Sequence, residues 1–164
     1  MMLIGLAAML GAAMGVADDN AIKDYPGGWS LYRNSDNCAL LRTYAGDTIF
    51  RLSYFTKEDT ARVAVVDKAL SNVTDGGDYE FSLYFVNGDT IDKGWGKVKL
   101  KGVVLPSLGS GYKFSVSGKT FLADMGKNKL LGIMDGDKVV ESLKLDQLYE
   151  PLIGLEACAL AVGG

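Results

Sequence analysis

From Trp29 onward the chain repeats short segments rich in β-branched and aromatic residues, separated by Gly, Asn and Asp. That is the rhythm of consecutive antiparallel strands. Strands are predicted at 29–33, 39–44, 48–55, 61–66, 79–86 and 97–104, with one more at 113–116. Several alternate apolar and polar positions. In 97–101 the three lysines share one face while Val98 and Leu100 share the other, which predicts a strand half in solvent. Phe81, Leu83 and Phe85 likewise oppose Glu80, Ser82 and Tyr84. Asn87-Gly88 predicts a type I′ hairpin turn, because both central residues of that turn need positive φ. Gly46-Asp47 is a weaker signal of the same kind, and Asp135-Gly136 predicts the turn of a closing hairpin, 129–134 with 138–143.

Two helices interrupt this pattern. Ser117 is placed to N-cap a helix over 118–125, with Phe121, Leu122 and Met125 on one face and Gly126 as its stop. At the end of the chain Leu148, Leu152, Leu155, Ala159 and Val162 recur at spacings of four and three, one buried stripe. Pro151 belongs to the first turn of that helix or marks its start, which leaves the boundary between Asp146 and Glu150. The fold class expected is α+β and mainly β: a curved antiparallel sheet or partly closed barrel with a short helix and a C-terminal helix.

Residues 1–17 carry no charged side chain, are apolar throughout and end in small residues just before Asp18-Asp19-Asn20. They read as a secretory signal peptide. The alternative is a retained anchor, for which the run is short against the about 20 apolar residues that span a bilayer. Residues 18–28, with the breaker Tyr25-Pro26-Gly27-Gly28, read as a flexible polar lead-in, and 29–164 as a single β-rich domain. An exported chain meets an oxidising compartment, so Cys38 and Cys158 are expected to form a disulfide, with two buried free thiols as the alternative.

Seventeen basic and twenty acidic side chains among the 164 residues give a net charge of −3, spread from Asp18 onward without a long run of either sign. This argues against a nucleic-acid footprint and against a polybasic membrane patch. The sequence contains no histidine, which removes the usual general base, the usual zinc ligand and every Ser-His or Cys-His pair. No catalytic residue, metal ligand set or cofactor site is therefore assigned. Ser117-Gly118-Lys119-Thr120 holds the GKT of a phosphate loop, yet Lys113 stands where that motif needs its first glycine. Asp135-Gly136-Asp137 and Asp75-Gly76-Gly77-Asp78 pair carboxylates without the ligand ladder of a calcium loop, and read as turns. Tyr25, Trp29, Tyr32, Tyr44, Tyr54, Tyr84 and Trp95 are candidates for an exposed stacking surface. Among them Trp95, set between Gly94 and Gly96, is the candidate binding anchor, with packing against the core as the competing reading.

The succession of Gly28-Trp29-Ser30-Leu31 opening one strand, Cys38-Ala39-Leu40-Leu41 opening the next, and a closing hairpin plus helix resembles the invasion-associated locus B family of small exported proteins of Gram-negative bacteria. That family tends to carry a cysteine soon after the Trp, where this chain has Arg33. The resemblance implies a periplasmic or surface-associated β-rich domain without a catalytic centre, and transfers no site residue. The function expected is that of an exported, non-enzymatic envelope or surface protein that binds or assists another macromolecule. It would need no cofactor, bind no nucleic acid and make no stable membrane insertion once the leader is removed. The alternatives are an inhibitor of a secreted hydrolase or protease, presenting Gly94-Trp95-Gly96 or Leu105-Pro106-Ser107, and a carboxylate-dependent enzyme.

Overall fold

The computed structural model describes residues 20–163; the leader read at 1–17 lies outside them. Eleven strands are present among these residues: β1 (Asn20–Tyr25), β2 (Trp29–Arg33), β3 (Cys38–Thr43), β4 (Ile49–Phe55), β5 (Thr60–Asp67), β6 (Asp78–Asn87), β7 (Thr90–Asp92), β8 (Lys97–Leu105), β9 (Gly109–Ser117), β10 (Leu130–Asp135) and β11 (Lys138–Lys144). Two helices accompany them, α1 (Gly118–Lys127) and α2 (Tyr149–Gly163). The strands form one antiparallel sheet in the order β1-β2-β3-β4-β5-β9-β8-β6-β10-β11, with the short β7 paired to β6. The fold is the α+β, mainly β architecture that the patterning predicts.

Curvature has visible causes. Bulges interrupt the β1–β2 and β10–β11 ladders, and a bulge bends the strand that carries it. In β10, Gly132 lies opposite Tyr84 of β6, whose ring occupies the space a Cβ would need. An aromatic side chain laid over a glycine lets neighbouring strands bend without opening a void. The sheet curls around both helices. Helix α1 lies against β5, β6 and β9, and α2 against β2, β3 and β4. One apolar core joins Trp29, Leu40, Phe50, Leu83, Phe85 and Phe114 of the sheet to Phe121 and Met125 of α1 and Leu152 and Leu155 of α2.

Cys38, at the start of β3, is disulfide-bonded to Cys158 of α2, which fastens the last helix across the first strands. The sheet does not close, because β1 and β11 remain its two ends. Side chains bridge part of the gap. Tyr44 donates its hydroxyl to the Lys144 carbonyl (2.7 Å), and Arg42 pairs with Asp146 (3.2 Å) while stacking over the Tyr44 ring at 4.4 Å. Trp29 donates its indole N–H to the Asp146 carbonyl at 3.1 Å. The Arg42 hydrogen bond holds the Asp146 carboxyl below its usual range, and burial pushes the Tyr44 phenol up.

Several local expectations differ from what is found. The stretch read as a flexible lead-in contributes β1, which pairs along β2 through the tight turn at Gly27 and Gly28, both at positive φ. Its signal was missed because this edge strand exposes Ile22, Lys23 and Asp24 and so lacks an apolar face. In the β6–β7 hairpin Asn87 pairs with Thr90, so the two loop residues are Gly88 and Asp89, and of these only Gly88 has positive φ. The turn is therefore not the type I′ centred on Asn87-Gly88. Ser117 makes no side-chain cap. Asp59, from the β4–β5 turn, does so instead, its carbonyl accepting from Gly118 N–H (2.7 Å) and its Oδ1 from Lys119 N–H (2.8 Å). Nor does Gly126 stop the helix, which continues to Lys127 and ends at Asn128.

Candidate functional site

Val86 and Leu130 face one another across β6 and β10, and the Leu145 N–H donates to the Lys129 carbonyl at 2.9 Å, carrying the β10–β11 pairing past the end of the strands. Leu148 then opens the first turn of α2, its carbonyl accepting from Leu152 N–H. These elements surround a cleft of about 750 Å3, floored by Val86, Leu130, Leu145 and Leu148. Gly88 and Gly126 border it without side chains that would fill it. Lys129 and Lys144 also line it, and neither forms an ion pair among the described residues. Asp146 lines the same cleft, but its carboxylate is held by Arg42. Tyr149 forms the lip and is 68% exposed. The arrangement can take up an apolar group from solvent, and its volume falls in the range of ligand-binding clefts.

The other candidates are placed elsewhere. Trp95 is half-buried: its indole N–H donates to Asp124 Oδ2 of α1 at 2.8 Å, and its ring meets Phe121 edge-on at 5.3 Å. The loop carrying it is thus pinned to α1. Trp29, Tyr32 and Tyr54 are buried, so the seven aromatic residues do not make a common exposed surface. Gly118-Lys119-Thr120 opens α1 after β9, a strand antiparallel to both of its neighbours. The amides of Gly118 and Lys119 are already taken by Asp59, which leaves no phosphate cradle. Asp135 and Lys138 pair across the β10–β11 turn, with Gly136 at positive φ. Asp75 spends its Oδ1 on the Val104 N–H. Both acidic segments are turns, and no group of three or more metal-ligating side chains converges among the described residues.

One carboxylate pair escaped the sequence reading. Glu141 of β11 is half-buried, and burial, followed by the charge of Asp67 on β5, pushes its carboxyl up to about 7. Asp67 is itself fully engaged: Thr48 donates its hydroxyl to Oδ2, and the Ala69 N–H reaches Oδ1 at 2.6 Å. Neither acid lines the cleft at Tyr149. No sequence signal brings together two acids on strands so far apart in the chain.

No family model, no curated protein and no solved structure matches this chain. Among the described residues no helix is long and apolar enough to cross a membrane. Among the described residues, the Cys38–Cys158 disulfide bears on the compartment, because such bonds persist in oxidising surroundings.

Proposed function

We propose that this chain is an exported, non-enzymatic protein of the cell envelope or surface that docks another macromolecule at the cleft behind Tyr149. The observation that carries this reading is a cleft lined by Val86, Leu130, Leu145 and Leu148 and continued by Tyr149, the most exposed of the large apolar side chains among the described residues. Exposed aromatic rings beside apolar clefts are where interfaces concentrate their energy. An apolar leader and a disulfide support export. The absence of histidine removes the commonest general base at neutral pH.

The test is affinity capture from envelope extract, followed by titration of each captured protein, purified, against wild type and two variants. Tyr149→Ala and Leu130→Asp are expected to weaken binding at least about tenfold, the loss of about 1.4 kcal/mol that one interface anchor supplies. Their thermal midpoints should stay within a few degrees of wild type. If every purified partner binds the variants as tightly as wild type, the cleft is not the docking site.

A further inference from the structure

Helix α2 carries two apolar stripes. Leu148, just before it, and Leu152, Leu155 and Ala159 within it are buried against the sheet. Tyr149, Ile153, Ala157 and Leu160 recur at spacings of four, four and three on a second, solvent-facing side, where Ile153 is 48% and Leu160 64% exposed. A helix apolar on all sides is normally covered on all sides. Here the sheet covers only one.

Beside the outer stripe runs a groove of about 280 Å3 between α1 and α2, lined by Tyr54, Leu122, Ala123 and Leu160 and flanked by Lys119 and Glu156. Both charged side chains are exposed, and neither ends in an ion pair or side-chain hydrogen bond among the described residues. An apolar centre with one unpaired cation and one unpaired anion at its edge is self-complementary. A two-fold axis sets the cation of each copy against the anion of the other, as an isologous interface requires.

We propose that the outer face of α2, with the α1–α2 groove, is the interface of a homodimer. Leu160 of each copy enters the groove of the other, and Lys119 faces Glu156 across the two-fold. Ala157 lies between Ile153 and Leu160, and its small side chain allows the two helices to approach closely. At roughly 200 Å2 per large side chain, the exposed parts of Ile153 and Leu160 offer about 220 Å2 of apolar surface. That is over a quarter of the about 800 Å2 per partner that a standard interface buries. The flanks of α1 and the stems of Lys119 and Glu156 supply the remainder.

Sedimentation equilibrium of the purified protein across the micromolar range tests this without any unknown partner. Wild type is expected to dimerise reversibly, and Leu160→Asp to be monomeric with an unchanged circular-dichroism spectrum. Ile153→Lys gives a second, independent disruption of the same face. Lys119→Glu and Glu156→Lys should each raise the dissociation constant about tenfold, by placing like charges opposite one another. Their combination should restore it to within about threefold of wild type. A wild type that stays monomeric throughout overturns the proposal, as does a dimer indifferent to Leu160→Asp, or single reversals that the double reversal does not rescue.

Discussion

Breaking the Cys38–Cys158 bond is the perturbation whose size follows most directly from the structure. The bridge spans 120 residues of sequence. In the chain-entropy model a loop of that length lowers the entropy of the unfolded chain by an amount equivalent to about 5 kcal/mol. Nothing else covalent holds α2 to β3. Its docking otherwise rests on the burial of Leu152, Leu155 and Ala159, of which the two leucines contribute about 1.5–3 kcal/mol each. The two contributions are comparable, so the reduced protein should remain folded but melt earlier. For a domain of this size a loss of about 5 kcal/mol corresponds to a fall of about 10–20 °C in the thermal midpoint. The assay is thermal circular dichroism of wild type with and without reductant, beside the Cys38→Ala/Cys158→Ala double variant, which reductant should not affect. Denatured, unreduced protein from the native host should show no alkylatable thiol. A midpoint that moves by less than about 3 °C on reduction would refute the loop-entropy reasoning, and two alkylatable thiols would refute the bridge itself.

Two further outcomes are expected. Trp29 is fully buried against Phe50 and Arg42, whereas Trp95 is half-buried on α1; Trp29→Ala should cost about 3–5 kcal/mol and Trp95→Ala about 1–2 kcal/mol in urea unfolding, and equal losses would show that Trp95 is as much a core residue as Trp29. The carboxyl of Glu141 rises from 4.5 to about 7 in the fold, so the folded state holds its proton more tightly than the unfolded chain does. The stability this gives is complete below pH 4.5 and is lost as pH rises through about 7. For a half-buried group screened by solvent the loss is about 1 kcal/mol. Glu141→Gln should remove that part of the pH dependence and be the more stable form at pH 8, and a variant with the same stability profile as wild type across this range would show that burial and the charge of Asp67 do not raise the Glu141 carboxyl.

The candidate site was less legible than the fold because a site depends on distance. Sequence reasoning singled out Trp95 for the glycines around it, yet the ring is held on α1 by Asp124 and Phe121. The cleft draws on Val86, Leu130, Leu145 and Tyr149, residues that look like ordinary strand and helix positions when read in order. One signal was available. The closing helix is apolar on two sides, and Ile153, Ala157 and Leu160 form a second stripe beside Leu152, Leu155 and Ala159. A second stripe calls for a second surface to cover it.

Local physics was enough to determine the strand rhythm, the two helices and the mainly β class, because β-branched alternation, turn glycines and the four-and-three spacing act within a few residues of one another. The pairing of the two lone cysteines was likewise expected from the sequence, and the structure contains that bond. Only the tertiary structure decided how those elements meet. It made an edge strand of Asn20–Tyr25, since β2 offered a free edge through the Gly27-Gly28 turn. It gave the capping of α1 to Asp59, 58 residues before Ser117 in chain order, because the β4–β5 turn arrives at the first amides of that helix. It also buried both faces of β4 and much of β5, so that Arg51 is fully enclosed and bonded to Ser53, while Tyr32, Leu41, Ile49 and Val66 pack into a second apolar cluster. Alternation along a strand shows that two faces differ in character, but what covers each face is decided by chain far away in sequence.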